Sequence, residues 1–174
     1  IGDKTQLLAL LLAARFRKPI PIVLGILVAT LANHAGAAAL GDWLTRQIDP
    51  QWMRWILGAS FLAVAVWMLI PDKADEVEGG GTGRWGVFGL TVAAFFLAEM
   101  GDKTQIATVM LAAKYHALVT VTAGTTLGMM IANVPAVLLG ERATRFVPLQ
   151  VVHRIAAAVF AVLGVLVLSG LAGT

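Results

Sequence analysis

The sequence predicts an all-α integral membrane protein of six transmembrane helices, the first of them truncated, arranged as two inverted three-helix repeats. Three observations lead to this fold class. Of the 174 residues, 59% are apolar and only 13% are charged, whereas soluble domains average about 45–50% apolar and about 25% charged residues. Apolar runs long enough to cross a bilayer recur along the chain, and one polar five-residue motif occurs twice.

Five apolar runs reach the length of about 20 residues that a membrane-spanning helix needs. They cover residues 20–40, 52–70, 86–113, 118–139 and 151–171. Prolines mark their ends, since Pro19 and Pro21 open the first run, Pro50 precedes the second and Pro71 closes it. Backbone groups in lipid must pair within their own segment, so we expect these runs to be helices.

The first apolar run, residues 1–14, would rise only about 21 Å as a helix, less than the roughly 30 Å of a hydrocarbon core. It begins without Met and carries Asp3 and Lys4 near its start. Basic residues follow this run instead of preceding it, which argues against a signal peptide. We therefore expect the chain to lack the first half of its first helix.

Basic residues also predict the orientation in the membrane. The connections after the first, third and fifth helices hold seven Lys and Arg residues, whereas those after the second and fourth hold at most three. Because Lys and Arg favour the cytoplasmic side, both termini are expected outside. No basic run carries interleaved aromatic residues, so nucleic-acid binding is not expected. The absence of Cys excludes disulfides and thiolate metal ligands.

The polar motif reveals an internal duplication. Gly2-Asp3-Lys4-Thr5-Gln6 recurs 99 residues later as Gly101-Asp102-Lys103-Thr104-Gln105. A one-residue slip also relates Asn33 to Asn133. We predict two repeats, residues 1–71 and 86–174, joined by an acidic and glycine-rich cytoplasmic linker, residues 72–85. Each repeat holds three helices, an odd number, so the copies must cross the membrane in opposite directions, as in many secondary transporters.

The second copy, extended by one turn, reads Glu99-Met100-Gly101-Asp102-Lys103-Thr104-Gln105. An ionisable group at bilayer depth costs about 2.5–3.5 kcal/mol, so this duplicated cluster predicts function, with a structural ion pair across the repeats as the alternative. In a continuous helix, Glu99, Asp102 and Gln105 share one face. A break at Gly101 would instead bring Thr104 into the site.

Together, the two copies offer a set of oxygen ligands around a pseudo-two-fold axis. The candidates are Asp3, Thr5, Gln6, Glu99, Asp102, Thr104 and Gln105, with a further acidic residue expected just before Ile1. An all-oxygen, near-octahedral set suits Mn²⁺, Ca²⁺ or Mg²⁺ and matches Zn²⁺ poorly. His34 would favour a transition metal if it reached this set, and hydrogen bonding within the bundle is its alternative. Asn33 and Asn133 are expected either to bond between helices or to line the site.

Charge balance suggests a mechanism for this site. Four carboxylates, counting the one expected before Ile1, and two lysines, Lys4 and Lys103, leave a net charge of about −2. One divalent cation or two protons would neutralise it, and an unneutralised charge at low dielectric is strongly unfavourable. The hypothesis is that one divalent cation is exchanged for protons, with Asp3, Glu99 and Asp102 carrying both.

At these residues the sequence resembles the Gdt-type cation exchangers of the calcium/cation antiporter 2 group. Their signature is Glu-x-Gly-Asp-Lys-[Ser/Thr], once in each of two three-helix repeats; the second copy here matches from Glu99 to Thr104 and the first from Gly2 to Thr5. The resemblance covers essentially the whole chain. It implies a non-enzymatic antiporter without a prosthetic group that exchanges Mn²⁺, or next Ca²⁺, for protons.

The resemblance also implies roles for single residues and a location. Glu99, Asp102 and Asp3 are the implied cation ligands, and Thr5 and Thr104 occupy the hydroxyl position of the signature. Lys4 and Lys103 occupy its basic position. Bacterial members look like manganese exporters of the plasma membrane, so a bacterial inner membrane is the expected location.

Three other functions stay open at this point. The paired carboxylates could hold the amine of a small organic cation or amino acid for export, although no aromatic cage is evident. Glu99 and Asp102 could act as the acid and base of an intramembrane hydrolase, although exact duplication argues against the different tuning that such a pair needs. A passive channel is the third, and burial of the charges favours alternating access over it.

Overall fold

A computed structural model of the chain describes residues 4–69, 86–139 and 149–170. Within these ranges it contains seven helices and no strand. They are α1 (Lys4–Phe16), α2 (Pro19–Gln47), α3 (Pro50–Met68), α4 (Gly86–Glu99), α5 (Lys103–Tyr115), α6 (Leu118–Leu139) and α7 (Leu149–Leu168). The prediction of an all-α fold is confirmed, whereas Asp3 and the predicted linker 72–85 lie outside the described residues.

Two of the described helices are long and apolar enough to cross a membrane. These are α2, with 29 residues, and α6, with 22 residues. Shorter apolar helical stretches lie at Gly86–Glu99 and Arg154–Leu168. The prolines that were expected to open spans do begin helices, since Pro19 starts α2 and Pro50 starts α3, positions where no backbone donor is needed. The six-span arrangement stays a prediction.

The predicted span 86–113 is interrupted at the duplicated motif. α4 ends at Glu99 and α5 begins at Lys103. Between them Gly101 has a φ of +75°, in the left-handed region that glycine adopts without steric cost. The expected continuous face of Glu99, Asp102 and Gln105 is therefore wrong, because the helix is interrupted between the first two residues. The alternative expectation, a break at Gly101, is confirmed.

Helix boundaries recur with the spacing of the duplicated motif. α1 and α5 both begin and end 99 residues apart, and α3 and α7 begin 99 residues apart. Arg17 and His116, which directly follow α1 and α5, have nearly equal left-handed φ angles of 50° and 49°. Equivalent stretches of sequence thus form equivalent local structure.

The equivalent helices α3 and α7 pack against each other in opposite directions. The Phe61 and Phe160 rings lie 5.9 Å apart between centroids. Gly58, near the middle of α3, lies against Leu168 at the end of α7. Arg54, near the start of α3, reaches towards Gly170 beyond the end of α7. Because later residues of α3 contact earlier residues of α7, the two helices are antiparallel.

α2 is the central helix, and it packs on α4, α5 and α6. It runs parallel to α4 and α5, because Gly25 lies against Thr91 whereas Gly41 lies against Val109. A Cβ on Gly25 would come within 2.7 Å of the Thr91 Cβ, and one on Gly41 would clash with the Val109 carbonyl oxygen. Both glycines therefore let α2 approach the interrupted helix closely.

α2 also packs against its repeat equivalent, α6. One buried cluster joins Ile22 and Ile26 near the start of α2 to Val137 near the end of α6. A second cluster contains Ala38 of α2, Ala112 of α5 and Val121 near the start of α6. The order of these contacts is reversed between the two helices, so α2 and α6 are antiparallel.

Candidate functional site

Glu99 is the last residue of α4, and its side chain is buried, with 1% exposure. Two side chains from α2 donate hydrogen bonds to its carboxylate. Thr30 Oγ1 donates to Oε1 at 2.6 Å, and Asn33 Nδ2 donates to Oε2 at 3.3 Å. Asn33 Nδ2 also donates to the carbonyl oxygen of Phe96 at 3.1 Å. α2 therefore supplies donors both to the acidic side chain and to a carbonyl of the last turn of α4.

Asp102 occupies the N-cap position of α5, on the other side of the break, and is also buried. Thr104 Oγ1 donates to its Oδ2 at 3.4 Å. Lys4 Nζ lies 3.8 Å from its Oδ1 and forms an ion pair with it. The N-terminal end of α5 favours this negative charge. Because Lys4 belongs to the first motif and Asp102 to the second, the ion pair joins the two copies.

Gln105 closes the break between α4 and α5. The backbone N–H of Gly101 donates to Gln105 Oε1 at 2.7 Å. This arrangement is similar to a capping box, in which a side chain in the first helical turn reaches back to an unpaired amide before the helix. The contact gives Gln105 a structural role that the sequence did not predict.

The first copy of the motif contacts α6. Thr5 is fully buried, and its Oγ1 lies 3.9 Å from the sulfur of Met129, to which it donates. Gln6 Nε2 donates to the carbonyl oxygen of Ala132 at 3.3 Å. The first motif copy thus packs on α6, whereas Glu99, beside the second copy, bonds α2.

The remaining predicted site residues lie in separate surroundings. Lys103 is buried, and its Nζ lies 5.9 Å from the centroid of the Trp67 ring, within reach of a cation–π contact. Asn133 Nδ2 donates to the carbonyl oxygen of Met129 within α6. His34 is buried, and neither ring nitrogen has a hydrogen-bond partner among the described residues.

The structure brings together part of the predicted site. Glu99, Asp102, Lys4 and Asn33 surround the helix break, and Thr30 is a partner that the sequence analysis missed. Its signal was a hydroxyl in an apolar span three residues before Asn33, a spacing that places both on one helix face. The described part of the chain holds no group of three His, Asp or Glu side chains suited to a metal ion; the predicted set includes Asp3, which lies outside it.

Comparison with known proteins identifies the family to which the chain belongs. Residues 1–76 and 87–173 match the family described as the divalent cation/proton antiporter GDT1. The chain belongs to the GDT1 family. Membership in GDT1 confirms the resemblance inferred from the doubled motif and the predicted exchange of a divalent cation for protons. It does not support the organic-cation exporter or the intramembrane hydrolase.

Two relatives of this GDT1 protein are similar over most of their length. One, from Vibrio cholerae serotype O1, is described as a "putative manganese exporter" and is 53% identical over 161 residues, which cover 92% of this chain and 80% of the relative. The other, a GDT1-like protein of Synechocystis sp., is 30% identical over 161 residues, covering 81% of this chain and 77% of the relative. No solved structure matches the chain.

Proposed function

We propose that this GDT1 protein exports Mn²⁺ across a bacterial plasma membrane in exchange for protons, and that Glu99 and Asp102 carry both. The observation that supports this most directly is a pair of buried carboxylates on either side of a helix break inside an apolar span. Broken helices whose ends face the transported ion are typical of secondary transporters. The choice of Mn²⁺, with Ca²⁺ as the second ion, draws on the description of the Vibrio cholerae relative and on the oxygen ligands.

The cation ligands in this proposal are carboxylate, amide and hydroxyl oxygens, which hard divalent cations prefer. Glu99 and Asp102 provide the charge, together with Asp3 from the first motif. Further oxygens come from Thr5, Gln6, Thr104 and Gln105, with Asn33, His34 and Asn133 nearby. Lys4 and Lys103 balance the charge, and the Lys4–Asp102 ion pair supports this role for Lys4.

Competition between cation and proton provides the coupling. A carboxylate must lose its proton before it binds a metal ion, so metal binding releases protons and proton binding releases metal. Glu99 and Asp102 are nearly inaccessible to solvent, and leaving either one charged without a partner is unfavourable at low dielectric. The ion-free site therefore returns across the membrane with protons in place of the metal.

The proposed architecture is an inverted repeat of six spans, with α4 and α5 as the two halves of one span. Residues 1–71 and 86–174 are the repeats, and both termini lie outside. Two pairs of equivalent helices, α2 with α6 and α3 with α7, run antiparallel, which supports opposite orientation of the copies. Such symmetry places equivalent half-sites on the two sides of the bilayer midplane.

Transport in proteoliposomes tests the proposed function. The full-length protein is reconstituted with an internal pH dye, and MnCl₂, CaCl₂ or MgCl₂ is added to wild type, Glu99→Gln and Asp102→Asn. We expect Mn²⁺-dependent proton movement that both variants lose. Asp42→Asn is the matched control, because Asp42 pairs with Arg46 at 2.8 Å at the end of α2, away from the break. Metal uptake without proton movement would contradict antiport, and no metal response by folded protein would contradict cation transport.

A further inference from the structure

Three buried polar side chains on α2 and α6 have no hydrogen-bond partner among the described residues. They are His34, through both ring nitrogens, and Thr122 and Thr126, through their hydroxyls. The other unpaired buried atoms among the described residues are Oδ1 of Asn133, on α6, and Nε of Arg54, on α3. Unpaired buried polar groups are rare in native proteins, and each one calls for an explanation such as a ligand.

His34, Thr122 and Thr126 lie at the same end of the contact between α2 and α6. Ala38 and Val121 belong to one buried cluster with Ala112 of α5, which places the end of α2 near the start of α6. His34 precedes Ala38 by four residues, and Thr126 follows Val121 by five. With a rise of about 1.5 Å per residue, both therefore lie about 6–8 Å along their helices from that cluster, towards the middle of α2 and of α6. This is the half of the contact in which α6 begins.

Each of the three polar residues has an apolar counterpart in the other repeat. Under the slip that relates Asn33 to Asn133, the pairs are His34 with Val134, Thr122 with Ile22, and Thr126 with Ile26. Under this slip, five buried positions of α2 recur as buried positions of α6, the same number as under the 99-residue offset of the motif. The buried pairs are Ile22 with Thr122, Ile26 with Thr126, Ala29 with Met129, Asn33 with Asn133 and Ala37 with Val137.

Two of these counterparts, Ile22 and Ile26, lie in the opposite half of the same helix contact. Ile22 and Ile26 have no solvent exposure and lie in one apolar cluster with Ala136 and Val137. In one half of the α2–α6 contact, His34, Thr122 and Thr126 are therefore unsatisfied, whereas Ile22 and Ile26 in the other half pack in an apolar cluster; that half also holds Asn133 on α6. Two identical repeats would present an ion with the same surroundings from both sides. This difference therefore makes the two halves of the contact chemically unequal.

We propose that His34, Thr122 and Thr126 form a second position for the transported cation, between Glu99 and the membrane face at which α6 begins. This rests on the proposed manganese export. His34 follows Thr30 by one helical turn, and Thr30 bonds Glu99, so the second position adjoins the first. Imidazole nitrogen is a better ligand for Mn²⁺, a transition-metal ion, than for Ca²⁺ or Mg²⁺, which prefer oxygen ligands. The packed isoleucines exclude ions from the other half.

Thiol labelling tests the location, because the chain has no Cys of its own. Thr126→Cys and its counterpart Ile26→Cys are treated with a membrane-impermeant methanethiosulfonate reagent in spheroplasts and in inverted vesicles. We expect Thr126→Cys to react from the one face at which α6 begins, and MnCl₂ to suppress that reaction. Ile26→Cys should react from neither face. Equal reactivity of the two, no reaction of Thr126→Cys, or no protection by MnCl₂ would overturn the proposal.

Ion preference tests the role of His34. His34→Val removes the imidazole, and we expect the KM for Mn²⁺ to rise at least about tenfold, because losing a direct ligand costs no less than losing an outer-shell partner, while the KM for Ca²⁺ changes less than about twofold. Thr125→Val is the control, since the Thr125 hydroxyl donates to the Val121 carbonyl within α6. Equal changes in the KM for both ions would show that His34 packs within the bundle and does not bind the cation. If the wild-type protein moved no Mn²⁺, the proposal of manganese export would be wrong. Reaction of Thr126→Cys from one face alone would still show which half of the α2–α6 contact is accessible.

Discussion

Replacing Thr30 by Val tests whether the donors from α2 control the exchange of proton and cation at Glu99. Thr30 is fully buried, and its hydroxyl donates the shorter of the two hydrogen bonds to the Glu99 carboxylate, at 2.6 Å. Val has the same branched shape without the hydroxyl. The substitution therefore removes one donor and leaves the packing of α2 on α4 nearly unchanged.

The expected size of the effect follows from the charge state that the bond stabilises. A hydrogen bond to a charged group contributes about 1.5–3 kcal/mol, roughly twice as much as one between neutral groups. The Thr30 bond therefore stabilises the ionised, cation-binding form of Glu99 over its protonated form by about 1 kcal/mol. That difference corresponds to a rise of about fivefold in the KM for Mn²⁺ where protons compete for the site.

Mn²⁺-driven proton movement in proteoliposomes, measured over a range of external pH, is the assay. We expect the KM of Thr30→Val to exceed that of wild type most at acidic pH. The two should converge at alkaline pH, where protons no longer compete. Thr30→Ser keeps the hydroxyl and should retain the wild-type KM. A KM for Thr30→Val that equals that of Thr30→Ser at every pH would refute the reasoning.

Two further predictions concern the break and the ion pair beside it. Gly101→Ala should lower the unfolding temperature in detergent, because the φ of +75° at this position costs residues other than glycine about 1–2 kcal/mol. Gly36→Ala, at an open position within α2, should not lower it. Equal unfolding temperatures of the two variants would argue against strain at the break. Lys4→Met should reduce Mn²⁺ transport about tenfold or more by removing the ammonium group that pairs with Asp102, while Lys4→Arg keeps most of it. Full activity of Lys4→Met would show that the ion pair is dispensable.

The sequence predicted those features that depend on local pattern. The duplicated motif predicted equivalent helices, and α1 and α5 indeed begin and end at equivalent residues. Gly101 between two acidic residues predicted a possible break, because glycine alone enters the left-handed region freely. These features need no knowledge of how helices are arranged around one another.

The partners of the acidic residues could not be predicted in the same way. Thr30 meets Glu99 only because Gly25 and Gly41 let α2 approach the interrupted helix at one particular register. Likewise, Gln105 turns back to the Gly101 amide only after the helix has broken. Periodicity along a continuous helix places Gln105 with the acids instead. Contacts between helices depend on packing over the whole contact surface, which no short stretch of sequence contains.

The break also explains how two carboxylates three residues apart have different surroundings. Glu99 lies at the C-terminal end of α4, whose dipole disfavours a negative charge, and Thr30 and Asn33 donate hydrogen bonds to its carboxylate. Asp102 lies at the N-terminal end of α5, whose dipole favours a negative charge, and Lys4 supports it. An unbroken helix would give both residues nearly the same field. The break separates the two roles, because a change in the donors of α2 acts on Glu99 while the charge of Asp102 stays compensated by Lys4 and the end of α5.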